Sequence, residues 1–157
     1  MLIETCIEKV KKLQDLITKE IPELKFEYQK FIGESLFKDS FRNDVPAEGI
    51  SKKSGIYFIT DAKDKVLYIG KAASNNLGAE IWSKFRAPTQ DTPLFKNSSL
   101  AKYAPSDDLR QLIISGNVKN SAITIDPQQL CSLVEVYLQT MCFMLDGELP
   151  PFNKQIG

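Results

Sequence analysis

Two tripeptides that mirror each other, Gly55-Ile56-Tyr57 and Tyr68-Ile69-Gly70, stand ten residues apart in this chain. Each lies in a run rich in β-branched and aromatic residues, the composition that suits a pleated, packed strand. Between the runs lies Asp61-Ala62-Lys63-Asp64, which supplies turn chemistry because Asp side chains bond their own backbone a few residues on. Strand, turn and strand in this order predict a hairpin over residues 55–70.

The remaining elements follow from periodicity. Ile3, Ile7, Val10 and Ile17 recur at helical spacing before Pro22, which predicts a helix over 2–20 with its lysines in solvent. Residues 26–54 carry Phe26, Phe31, Phe37 and Phe41 without a clear period, and read as a packed, irregular stretch with one short helix. Residues 77–86 read as a helix with Leu77, Ile81 and Phe85 on one face. Residues 87–106 hold three prolines and read as a loop. A short helix from Asp107 to Ser115, a third strand at 122–125, and a long apolar helix from Pro127 to Leu145 complete the pass. The long helix carries Pro in its first turn and Gly147 past its end, the usual asymmetry. The expectation is one α+β domain over 51–157, a small three-stranded, mainly antiparallel sheet flanked by helices, with a helical N-terminal extension over 1–50 packed on it.

Composition removes whole classes of chemistry. The 157 residues include no His, so Ser-His-Asp, Cys-His and His-ligated zinc sites are out of reach. A hydrolase built from this chain works with Tyr, Lys, Arg, Asp or Glu and with oxygen-bound metals. Three cysteines without CxxC spacing point to a reducing, cytoplasmic setting. No apolar run approaches the ~20 residues of a membrane span. The formal net charge is zero, which weighs against broad, nonspecific binding to nucleic acid. Residues 55–86 carry five basic and three acidic side chains, and 87–157 carry five and seven. The first stretch is therefore the better place for a phosphate.

One carboxylate stands out. Between Asp126 and Asp146 the only charged residue is Glu135, in the apolar setting Leu133-Val134-Glu135-Val136-Tyr137-Leu138. A carboxylate there carries a desolvation cost unless it is paired or bound to a cation. It is either a boundary residue that reaches solvent or an N–H partner, or a metal ligand on the floor of a cleft. Tyr57 and Tyr68, taken alone, are equally readable as sheet packing with their hydroxyls at the edge.

The two tripeptides, the isolated Glu135 and the later Leu149-Pro150-Pro151-Phe152-Asn153 together resemble the GIY-YIG nuclease superfamily over about residues 54–153. The resemblance implies metal-assisted hydrolysis of a DNA phosphodiester with one Mg²⁺ or Mn²⁺ ion. It implies that Tyr57 orients or deprotonates the attacking water and that Tyr68 bonds into the same site. Glu135 would hold the metal, Asn153 would orient its neighbours, and Lys71 would donate to phosphate. The chain departs from the family in the helix after the second motif. The position of the catalytic Arg falls on Glu80, and that usually held by His or Tyr falls on Lys84. Lys84 and Arg86 are the candidate replacement cations. Glu80 and Lys84 also have i, i+4 spacing, which suits a plain surface ion pair. Two functions stay open: a DNA endonuclease with a rearranged cation, or a degenerate domain of the same kind that binds nucleic acid or protein without turnover. The four residues Tyr57, Tyr68, Glu135 and Asn153 are expected to converge on one cleft, with Glu80 on its rim.

Overall fold

A computed structural model describes residues 1–39, 49–85 and 95–157. Its centre is a four-stranded antiparallel sheet in the order β1-β4-β2-β3, from β1 (Glu27–Phe31), β2 (Gly55–Thr60), β3 (Val66–Ala72) and β4 (Lys119–Asp126). Among the described residues five helices flank it: α1 (Ile3–Glu20), α2 (Leu77–Lys84), α3 (Ser99–Lys102), α4 (Asp107–Ile114) and α5 (Leu130–Asp146).

The hairpin forms as its residues dictate. Asp61 Oδ1 accepts from the backbone N–H of Lys63 at 2.8 Å and of Lys65 at 2.9 Å, closing the turn, and Asp64 takes the left-handed conformation at φ 64°. The register then slips by one residue between Ile59 and Thr60, which pair with Tyr68 and Val66. Leu67 is left over as a bulge. A bulge re-aims the side chains beside it. Here Leu67 and Tyr68 both join the core on the α2 side, while Val66 and Ile69 join the opposite one.

All six residues of β2 are buried, because each face of the sheet carries its own core. Ile56 and Phe58 pack with Ile123 and Ile125 against α1 and α5, through Val10, Leu13, Val134 and Leu138. Tyr57 and Ile59 pack on the other side against Leu77 and Ile81 of α2, Leu100 of α3 and Ile113 of α4, with Phe37, Phe85 and Phe95 filling the space between. Phe37 stacks on Phe85 with ring centroids 4.6 Å apart. A strand covered on both faces reads as a continuous apolar run rather than an alternation, and GIYFIT is such a run.

Four expectations need correction. The sheet has four strands, not three, because Glu27–Phe31 pairs with β4 in register from Glu27↔Asp126 to Phe31↔Ala122. This strand lies at a sheet edge and buries none of its residues fully, so Glu, Gln and Lys occupy positions where an inner strand needs apolar side chains. The third sequence-read strand is longer than expected, 119–126 rather than 122–125. The long apolar helix begins at Leu130, and Pro127 lies in the connection before it, after a cis peptide bond. The loop over 87–106 contains a helical turn, α3, opened by Ser98, whose hydroxyl accepts from Ala101 N–H at 3.0 Å; residues 86–94 lie outside the described ones, as do Phe41 and Arg86. The stop of α5 is as read: Gly147 takes the left-handed conformation at φ 76° and its N–H returns to Phe143 O. Among the described residues no helix is long and apolar enough to cross a membrane.

Cys6, Cys131 and Cys142 are free thiols and all three are buried. Burial pushes the Cys131 and Cys142 thiols up from 9.0 to about 11, and it raises Cys6 as well. The sign of the linkage follows. The unfolded chain loses these thiol protons first as pH climbs past about 9, while the native state keeps them, so stability present below that pH is lost toward pH 11. The urea midpoint should therefore fall between pH 8 and pH 10.5, and a thiol reagent at pH 8 should label none of the three until denaturant is added. Rapid labelling of the native protein would contradict the packing described here.

Candidate active site

The site is built where β2 meets the open edge of the sheet at β3. Tyr57 faces Gly70 across the ladder. Its ring lies over the glycine so closely that a Cβ at residue 70 would stand 2.5 Å from Tyr57 Cζ and 2.6 Å from its hydroxyl. Gly55 has a different reason to lack a side chain: a Cβ there would stand 2.0 Å from Ile123 O on β4. The first glycine lets β2 approach β4, and the last one leaves room for a phenol to cross β3. The two glycines of the mirrored tripeptides thus serve backbone approach and side-chain room respectively.

Tyr57 is 1% exposed and its ring centroid is 5.8 Å from that of Tyr68. Burial raises the Tyr57 hydroxyl far above the usual phenol range. The neighbouring Tyr68 adds to this, and so do the Glu80 and Glu135 carboxylates. Both carboxylates are therefore within electrostatic reach of one phenol. Strand alternation puts Tyr68 and Gly70 on the α2 face and Lys71 on the α5 face. Glu80 acts from the α2 side and Glu135 from the α5 side, and the edge of β3 runs between them.

Glu135 is 7% exposed. Its Oε2 accepts from Lys71 Nζ at 2.7 Å, which answers the desolvation cost that an isolated carboxylate on this helix would carry. Lys71 is therefore committed to Glu135 as well as available to a phosphate. Glu80 accepts from Asn76 Nδ2 at 3.1 Å, at the start of α2. That helix start is held by the segment before β2: Leu77 N–H donates to Lys53 O at 3.1 Å and Gly78 N–H to Ser51 O at 3.0 Å. Lys84 does not pair with Glu80 among the described residues; its ammonium stands 5.6 Å from the centroid of the Tyr68 ring.

Asn153 does a different job from the tyrosines. Its Oδ1 accepts from Ile69 N–H at 2.9 Å and its Nδ2 donates to Ile69 O at 2.8 Å. One side-chain amide thus takes both edge-facing backbone groups of the residue between Tyr68 and Gly70. Phe152 N–H donates to Leu67 O, at the bulge, at 3.0 Å. The segment after Pro151 closes the exposed edge of β3 and fixes Tyr68 through its backbone. The signal missed in the sequence is Gln139, on the polar side of α5, whose Nε2 reaches the same Ile69 O at 3.4 Å and whose Oε1 accepts from Gly157 N–H at 2.8 Å.

The structure brings together Tyr57, Tyr68, Lys71, Glu80, Lys84 and Glu135, and holds Asn153 one residue away with its amide spent on the backbone. Four of the hollows in the described surface, of about 440 to 590 Å³, have no lining from Tyr57, Tyr68, Glu80 or Glu135. The site is thus a polar edge rather than one of these hollows. Its donors are all oxygens, with one nearly buried carboxylate, and this fits a hard divalent cation that keeps most of its shell as water and substrate oxygen. Among the described residues no three acidic or thiol side chains gather into a ligand set, so Glu135 would be the main protein ligand. Protein-family models, curated proteins and solved structures yield no match to this chain.

The Tyr57–Gly70 contact is directly testable. Gly70→Ala should destabilise the protein by about 1–3 kcal/mol through overpacking, read from urea unfolding. In a Tyr57→Ala background the same change should cost less, because only the Tyr68 ring, with Cε1 2.8 Å from the added Cβ, is left to strike. Additive costs in the double variant would rule the contact out as the reason for this glycine.

Proposed function

We propose that this chain is a divalent-metal-dependent DNA endonuclease of the GIY-YIG type, slowed by the carboxylate at residue 80. The observation that carries the reading is the convergence of Tyr57, Tyr68 and Glu135, far apart in sequence, on one edge of the sheet, where both glycines have a steric reason to be glycine. Bound at Glu135, Mg²⁺ or Mn²⁺ would polarise the phosphorus and stabilise the leaving oxygen.

The protein's own groups divide the remaining work. Tyr57 keeps its proton, because burial and two carboxylates all disfavour the phenolate. It therefore orients the attacking water through its hydroxyl instead of acting as a standing base. Tyr68, its ring 5.8 Å from that of Tyr57, packs beside it, and the Asn153 clamp on Ile69 holds the Tyr68 strand in place. Lys71 holds the Glu135 carboxylate in place at 2.7 Å and adds positive charge near the phosphate. Lys84 lies over Tyr68, its ammonium 5.6 Å from the ring centroid, on the same helix as Glu80. Glu80 opposes all of this with a negative charge on the α2 side. A missing transition-state donor commonly costs ~10²–10³ in rate, and a carboxylate in its place costs more.

A second reading rests on the same carboxylate. With Lys71 paired to Glu135 and Glu80 facing the phenol, the site has little positive charge free for a transition state, which suits a module that binds nucleic acid or protein without cutting. Nicking of supercoiled plasmid with Mg²⁺ or Mn²⁺ decides between them. Slow wild-type nicking is expected. Glu135→Ala should abolish it, and Glu80→Arg should raise it by about tenfold or more. Nicking that survives Glu135→Ala unchanged would rule out the hydrolytic reading of this site. No nicking in either wild type or Glu80→Arg, with nucleic-acid binding intact, would favour the binding module.

A further inference from the structure

The chain is electrically neutral, yet its fold does not spread its charges evenly. Residues 87–157 carry five basic side chains. One, Lys119, is tied to Asp64 at 3.0 Å. The other four, Lys96, Lys102, Arg110 and Lys154, gather on one surface. Lys96, Lys102 and Arg110 line a hollow of about 570 Å³ between α2, α3 and α4, together with Tyr103 and several hydroxyl side chains. Among its described lining the only opposing charge is Asp107. Tyr103 is 58% exposed. The Lys154 ammonium stands 4.9 Å from its ring centroid and the Lys102 ammonium 5.4 Å.

A large, wet aromatic ring carries a cost in exposed apolar area, and its polar tip does not explain why two cations attend it. A hydrophobic or peptide ligand would explain the ring but not the four cations. A free phosphate would explain the cations but not the ring. An unpaired nucleotide explains both: every base has a face that stacks on an aromatic side chain, and every linkage carries a negative charge. Exposed cation–π contacts are weak, so a lysine that gives up a ring face to a base can swing its ammonium onto the adjoining phosphate. Chain neighbours link the hollow to the tyrosine site. Ser83 lines it, and the next residue, Lys84, stands over Tyr68. On the other side Lys154 follows Asn153, which clamps the Tyr68 strand.

We infer that the Tyr103 surface binds single-stranded nucleic acid, stacking an unpaired base on Tyr103 and holding its flanking phosphates with Lys102, Lys154 and Arg110. The inference rests on the phosphodiester reading of the neighbouring site for its substrate class, and it makes that substrate one with an unpaired segment beside the bond to be cut. A fully paired duplex keeps its bases stacked on one another and has none to offer Tyr103.

The test uses the full chain in EDTA, so that binding is read without cleavage, with a fluorescein-labelled single-stranded 20-mer, its duplex and inorganic polyphosphate as probes. The single strand should bind more tightly than the duplex. Tyr103→Ala should weaken it about 5- to 100-fold, while Tyr103→Phe should leave it near wild type. The double variant Lys102→Ala/Lys154→Ala should reduce the slope of log affinity against log salt by about 1.4, that is about 0.7 per lost phosphate contact. Equal binding of duplex or polyphosphate, or unchanged binding by Tyr103→Ala, overturns the inference even if the protein nicks DNA. Tyr103-dependent binding without any metal-dependent nicking upholds it and removes the hydrolytic reading instead.

Discussion

Strand β2 has no free side. It pairs with β3 along one edge and β4 along the other, and a separate core covers each of its faces. In such a position a polar group has few places to go. Five of the six residues answer this by being apolar, by being Gly55, or, for Thr60, by sitting at the strand's end. Tyr57 answers it geometrically. Its ring crosses β3 over the bare Cα of Gly70, and its hydroxyl emerges toward Tyr68 and the two carboxylates. The placement of every group in the site depends on that crossing. A side chain at residue 70 would push the phenol back into the α2 core, and the hydroxyl would lose its partners.

The same geometry sets the electrostatic problem. Two carboxylates act on one buried phenol from opposite sides of a strand, and the described cation nearest Glu135 is already bonded to it. Lys71 makes the site stable without a metal, because it neutralises a carboxylate that α5 would otherwise bury alone. It also competes with any cation that binds there, so metal affinity and ion-pair strength are opposed. Glu80 has no comparable counter-charge. The one bond its carboxylate accepts among the described contacts, from Asn76, is a neutral one. The charge on residue 80 is left to act on the tyrosines, and chemistry at this edge must work against it.

Much of this was legible in the sequence, and the exceptions share a cause. The hairpin, the terminal stop of α5 and the apolar face of α2 each rest on local chemistry: an Asp turn, a glycine past the helix, a 3–4 repeat. Glu135 was legible as an anomaly because nothing else on its helix is charged. Strand β1 was not, because an edge strand that buries no residue fully has no apolar pattern to display. The Lys71–Glu135 bond spans 64 positions, and its two members have no periodic relation. Asn153 was legible as a family-like residue, but its two-point hold on Ile69 was not. That contact depends on β3 being the edge of the sheet, which strand order decides and sequence does not display.

The distribution of positive charge shows how far folding departs from sequence. By stretch, residues 55–86 hold the surplus of cations and 87–157 the surplus of acids. In the fold, the cations of the first stretch are dispersed: Lys71 goes to Glu135 and Lys84 to the face of Tyr68. Four of the five in the second stretch converge around Tyr103, with Asp107 the one acid among the described lining of the hollow. Affinity for a polyanion follows local potential, not net charge. On the proposed reading, a neutral chain with this cationic hollow beside the Glu80 edge grips the strand at one point and acts on it at another. Binding energy gained at the hollow would then offset the repulsion of a phosphate by Glu80. It would not replace an Arg, because a cation away from the reacting phosphate stabilises ground and transition states alike, and the proposed enzyme stays slow for that reason.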